Sequence, residues 1–212
     1  MVLLPRYPAV RQQYRQLEDP RWFLWHNGTV KTRDLETRLE RVEEQLRLFQ
    51  RVSRLMTRDM ELDDVLHEIV ALIRDFLRCD SCLIYLVEEG ELVLYASGDD
   101  SKQNIGKVRL RLSEGLTGWV ARERRLLAIS REAYTDPRFK FFKDLPQDTF
   151  EAFLSVPIIS QGKVVGVINV QHREPRIHSG DDMEMLSTLG EQVGCVLVLS
   201  KQKNAIPSAV TM

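Results

Sequence analysis

The segment Phe153–His172, FLSVPIISQGKVVGVINVQH, limits the possible folds of this chain more than any other. Two apolar stretches rich in Val and Ile flank Gln161-Gly162, a pair suited to a two-residue turn with positive φ, so the segment reads as a β-hairpin. Strands this apolar are buried on at least one face. A second hairpin is written upstream, where the apolar run Cys82–Val87 is followed by the turn Glu89-Gly90 and by the strand Glu91–Ser97. Lys107–Leu112 alternates strictly, with Val108, Leu110 and Leu112 set against Lys107, Arg109 and Arg111, as in a strand with one wet face. Leu126–Ile129 adds a short strand.

Helical spacing surrounds these strands. Leu62, Leu66, Ile69, Ile73 and Phe76 or Leu77 recur behind Asp59, Asp63 and Asp64, acidic residues that suit a helix start. Near the C-terminus Ser179 and Asp182 form a capping box ahead of Leu186, Leu189, Val193 and Val196. The order of elements predicts an α+β fold, an antiparallel sheet of about six strands with helices packed on it. A long connection, Ser130–Ala152, carries four phenylalanines at 139, 141, 142 and 150. Loops of this length inside a compact domain are functional or mobile.

Upstream of that domain, Leu35, Leu39, Val42, Leu46, Phe49 and Met56 fall at alternating steps of four and three, with only Ser53 breaking the seam. Such a stripe fits one face of a helix packed on its own domain, or a coiled-coil-like helix paired with a second copy. Arg and Glu at its flanks favour the homodimer. Residues 1–33 hold Pro5, Pro8, Pro20 and Gly28 and the aromatics Trp22, Phe23 and Trp25 without a sustained period, which reads as an irregular or partly helical arm. That arm could dock on a protein partner.

With 43% hydrophobic and 29% charged residues, the 212-residue chain can bury a full core. A net charge of -1 gives no global field toward nucleic acid or an anionic membrane, so neither is expected as a partner. Neither a signal peptide nor a membrane-length apolar run is visible, and three cysteines make no disulfide framework; the expected location is cytoplasmic.

Ser113-Glu114-Gly115-Leu116-Thr117-Gly118-Trp119-Val120-Ala121, Asp136-Pro137-Arg138-Phe139, and the hairpin with Ser155-Val156-Pro157 and Gly166-Val167-Ile168-Asn169-Val170 together resemble the GAF domain family. The likeness is greatest to the GAF domains of the nitrogen-related phosphoenolpyruvate phosphotransferase and of GAF sensor kinases. It implies a GAF/PAS-like fold, with an arm at 1–33, an amphipathic dimerisation helix at 34–58, a GAF-like sensory domain at 59–201 and a flexible tail at 202–212. It also implies a small-molecule pocket between one sheet face and the long loop. The expected lining is Tyr95, Trp119, Phe139, Phe142, Phe153, Ser155 and Asn169. The same phenylalanines could instead plug a pocket that binds nothing. Two departures stand out. Ser113 replaces the first glycine of the GxGLTGWVA block, and His178 stands where an aromatic commonly precedes the last helix. Of the Asn-Lys-Phe-Asp-Glu set of nucleotide-binding members only Asn169, and in part Asp182, match, while Val170 takes the lysine position; this argues against cyclic nucleotides.

The remaining chemistry is sparse. Gly115 and Gly118 could offer backbone N–H groups to an anion or could permit a tight turn and close helix packing. Cys79-Asp80-Ser81-Cys82 has redox or zinc spacing, but it lies at a helix C-terminus and lacks further zinc ligands. No metal is expected, and His172 and His178 read as part of a solvated basic loop. The free methionine-(R)-sulfoxide reductases of the same family use cysteines near the pocket, whereas residues 100–150 here contain none. The expectation is a standalone sensory or regulatory domain that is not an enzyme and signals through a dimer helix to a partner protein. The alternatives are a dimeric adaptor without ligand and a thiol-dependent redox enzyme.

Overall fold

The computed structural model describes residues 20–98, 104–140 and 150–205, with side chains from Leu35 to Ser200 within those spans. Its elements are helix α1 (Pro20–Met56), helix α2 (Leu62–Leu77), strands β1 (Ser81–Glu88), β2 (Glu91–Ser97) and β3 (Arg109–Arg111), helix α3 (Gly115–Glu123), strands β4 (Leu127–Ile129), β5 (Ala152–Ser160) and β6 (Lys163–His172), and helix α4 (Gly180–Ala205). The strands form one sheet in the order β3-β2-β1-β6-β5-β4, antiparallel at every pairing. This is the six-stranded α+β arrangement that the sequence implies.

Both hairpin turns take the conformation their residues favour. Gln161 and Gly162 have φ of 49° and 75°, and Glu89 and Gly90 have φ of 49° and 85°. Two successive positive-φ residues twist the chain in the sense that the flanking strands need. At the other end of the domain, Ser179 and Asp182 close the expected capping box: the Ser179 amide donates to Asp182 Oδ2 at 2.9 Å, and the Asp182 amide to Ser179 Oγ at 3.1 Å.

Alternation along the central strands divides the core into two layers. Cys82, Ile84, Leu86, Leu154, Val156, Ile158, Ile168 and Val170 pack with α2 and α4. Leu83, Tyr85, Leu92, Leu94 and Val167 point the other way, to Val120 and Ala121 of α3. The sheet is thus covered on both faces, and α3 is the helix that closes the second one.

Three boundaries are set by the structure. α1 begins at Pro20, so residues 20–33 are helical, in keeping with the partly helical reading of the arm. Proline is at home in the first helical position, and apolar periodicity reports which face is buried, not whether the backbone is helical. The chain divides into compact units at Arg47/Leu48, within α1. The reason is a second apolar stripe on α1: Leu48, Val52 and Leu55 are buried in the core of the sheet unit, with exposures of 5%, 0% and 5%. α4 continues to Ala205, past the expected end at 201. Residues 1–19, 141–149 and 206–212, including Phe141 and Phe142, lie outside the described residues.

Candidate functional site

Ser155 and Asn169 sit directly opposite one another on β5 and β6, on the face that α3 covers. They are fully buried, at 0% and 2% exposure. Ser155 Oγ donates to Asn169 Oδ1 at 2.7 Å, and Asn169 Nδ2 donates to Thr117 Oγ1 of α3 at 2.8 Å. Buried polar groups need partners, and here each supplies the other's. The network fastens α3 to the hairpin through three side chains contributed by residues 117, 155 and 169.

Gly118 lets α3 pack closely on the end of β3, since an added Cβ there would stand 2.7 Å from the Arg111 carbonyl oxygen. Gly115 has φ of 66° at the helix start. The glycines therefore do the turning and packing that one of the two sequence readings assigned to them. At the same helix end the Glu114 carboxylate accepts from the Arg111 amide at 3.1 Å and from Lys140 Nζ at 2.9 Å, and these partners lower its pKa.

A clasp from the β4–β5 connection lies over α3. The Arg138 guanidinium stands 4.6 Å from the centroid of the Trp119 ring, a cation–π contact. Asp136 holds that guanidinium from behind: its Oδ1 accepts from the Arg138 amide and Nε at 2.9 and 2.8 Å, and its Oδ2 from Nη2 at 2.6 Å. Arg138 lowers the Asp136 pKa, and its own is raised by Asp136. Phe139 packs with Leu116, Ala133 and Phe153 in a small apolar cluster. The region thus has an apolar rim, a buried polar triad and a cation over an indole. Such a layer can sort ligands by shape and hydrogen bonding; among the described residues it presents no nucleophile paired with a base.

Of the expected lining residues, Trp119, Phe139, Phe153, Ser155 and Asn169 all lie on the α3 face. Tyr95 does not join them. It packs against the α2 and α4 core, because β2 alternates away from Leu94, and a bulge opposite Ile84/Tyr85 leaves Ala96 on that same side. Its hydroxyl donates to Glu88, which together with partial burial pushes the phenol up to about 12. Phe142 lies outside the described residues. Thr117 and Arg138 were absent from the sequence expectation, although both stand inside the quoted motifs; a threonine on a short apolar helix is a signal for a buried hydroxyl.

His172 and His178 do not sit in a solvated loop. They are 5% and 4% exposed, and their rings are 5.2 Å apart. Burial and the nearby Arg176 depress both, His172 to about 4. No group of three or more metal-binding side chains occurs among the described residues. Asp182, the partial match to the nucleotide set, is used in capping. Cys79 and Cys82 are buried in the α2 and α4 layer, where burial pushes the Cys79 thiol up to about 12; Cys195 is exposed on α4.

Known proteins share this fold. The GAF domain family model matches residues 61–197. The chain is 30% identical over 142 residues to the phosphoenolpyruvate-dependent phosphotransferase system protein of Escherichia coli (strain K12), covering 66% of this chain and 19% of that one. It therefore spans about a fifth of the length of the curated relatives it matches. Among solved structures, the GAF domain of a phosphoenolpyruvate-protein phosphotransferase from Coxiella burnetii is similar with a TM-score of 0.71 at 23% identity, over 77% of this chain and 98% of that one. The corresponding Acinetobacter GAF domain gives 0.67 at 29%, over 76% and 98%. Free methionine-R-sulfoxide reductase from Neisseria meningitidis shares the fold, with a TM-score of 0.62 at 18% identity over 74% and 89%. Since the family match covers well over half of its residues, the chain belongs to the GAF domain family.

Proposed function

We propose that this chain is a sensory module that binds a small molecule between α3 and the β5–β6 hairpin and passes the event to a partner protein through a dimer of α1. GAF domains are a sensory and regulatory family, and the coarser part of this reading rests on the family match. What carries the finer part is the Thr117–Asn169–Ser155 triad, a polar layer inside a core that a mere scaffold would fill with apolar side chains. A ligand that replaced the Thr117 hydroxyl as the partner of Asn169 would release one anchor of α3. Movement of α3 under the Arg138–Trp119 clasp would then be the first step of a population shift.

The module itself is proposed to be without catalysis and to act in the cytoplasm. The first point is supported by the cysteines, two buried on the opposite face and one on the outside of α4. Supporting the second, no helix among the described residues is long and apolar enough to cross a membrane.

Mass spectrometry of small molecules released from the denatured protein, combined with melting in the presence of a metabolite panel, tests the ligand. A released compound, or a rise in melting temperature that Asn169→Ala abolishes, is the expected result. An empty protein whose melting no compound shifts overturns ligand binding. The outcome would then favour a dimeric adaptor, a reading supported by the fact that Ser155 and Asn169 already satisfy one another. Turnover of methionine sulfoxide that depends on a thiol would overturn the non-catalytic reading.

A further inference from the structure

We propose that Leu35, Leu39, Val42 and Leu46 of α1 form the seam of a parallel, in-register coiled coil with a second copy of this chain, in which Arg38 faces Glu43 of the partner subunit. The inference rests on the dimer reading above and adds its orientation and pairing. The four seam residues are 62%, 60%, 58% and 55% exposed, a row of large apolar side chains on one side of a long helix. Their steps of four and three make Leu39 and Leu46 the a positions and Leu35 and Val42 the d positions of a heptad.

Charge then selects the orientation. The e positions are Glu36, Glu43 and Gln50, and the g positions are Arg38 and Gln45. In a parallel pair each g residue meets the e residue five places on in the other helix, so Arg38 meets Glu43 of the partner subunit and Gln45 meets Gln50 of the partner subunit. The same basic-to-acidic offset recurs one heptad earlier in the sequence, from Lys31 to Glu36. In an antiparallel pair e faces e and g faces g, which sets glutamate against glutamate. Like charges directly opposed are destabilising. Glu43 already has an i,i+4 partner in Arg47, but at 3.7 Å between two well-exposed side chains that pair leaves the carboxylate free to engage a second cation.

The available seam is short. At its C-terminal end the helix turns Leu48, Val52 and Leu55 into the sheet unit, and Phe49, the next d position, packs partly against the same core. Two heptads cover less than the roughly 800 Å² per partner of a standard stable interface. The dimer is therefore a dissociable one, with an equilibrium that a change in the domain can move.

The test uses the full chain with Cys195→Ser, which removes the exposed thiol and leaves Cys79 and Cys82 buried. Leu35→Cys and Val42→Cys are introduced separately, and the mass is first measured by sedimentation across a concentration series. Covalent dimers in both single-cysteine variants under mild oxidation are expected, because a parallel in-register pair places every seam residue beside its own copy. Sedimentation as a dimer with only one or neither variant cross-linking overturns the parallel register while leaving the dimer standing. A monomer at all concentrations overturns the dimer reading and the orientation with it. Independently, Arg38→Glu should raise the dissociation constant about tenfold, and adding Glu43→Arg should restore it, since both contacts of the symmetric pair are then reversed. Failure of the double variant to recover overturns the Arg38–Glu43 pairing. All four sites are exposed, so circular dichroism should remain unchanged.

Discussion

Asn169 is the residue on which the candidate site turns, because it is a buried amide whose two ends are both engaged. Replacing it with leucine leaves the buried hydroxyls of Ser155 and Thr117 without their amide partner, and unfolding by denaturant should show a loss of about 2–3 kcal/mol. Thr117→Val removes one hydrogen bond and keeps the shape, so a loss of about 1 kcal/mol is expected by the same measurement. The histidine pair couples stability to pH. His172 has a folded pKa of about 4, below the ordinary value of 6.5, so the unfolded chain binds the proton more readily. Stability from this group is complete above pH 6.5 and is lost as pH falls from 6.5 toward 4, where the folded form begins to protonate too. His178 is shifted in the same direction and deepens the trend. Guanidinium melts between pH 7 and pH 4 should show a steeper decline for the native protein than for His172→Phe.

Among the elements, α1 has two apolar stripes with opposite consequences. Val52→Ala empties a fully buried position and should destabilise the sheet unit by about 1.5–3 kcal/mol, whereas Leu39→Ala, in an exposed seam, should leave the chemical melt of that unit within about 0.5 kcal/mol. Observing the reverse order would mean that the face assignments are wrong. The clasp over α3 is a smaller effect. Arg138→Ala removes both the bidentate Asp136 contact and the cation over Trp119, and about 1 kcal/mol is expected, with faster hydrogen exchange around Phe139 as the local readout. The capping box and the two hairpin turns were readable from sequence because the groups that decide them lie within three residues of one another. The sheet face of Tyr95 was not, since it depends on how β2 pairs with β1 and where a bulge falls.

For the molecule as a whole, the boundary at Arg47/Leu48 has a direct test. A chain starting at residue 48 should keep a cooperative melt of the sheet unit, and one starting at residue 59, which loses Leu48, Val52 and Leu55 from the core, should melt far lower or fail to fold. Calorimetry of the two truncations decides it. Much of the plan was legible in the chain alone: strand and turn positions, the helix cap and the family blocks around Trp119 and Asn169 follow from chemistry within a few residues of each position. Other features waited on packing. Thr117 as the third member of the triad, Arg138 on the indole, the burial of His172 beside His178 and the inward turn of Leu48, Val52 and Leu55 each join residues far apart in sequence. Local propensity and periodicity say which backbone a segment adopts and which of its sides is apolar. What that side meets is set by segments elsewhere in the chain, and burial, partner choice and pKa follow only from that meeting.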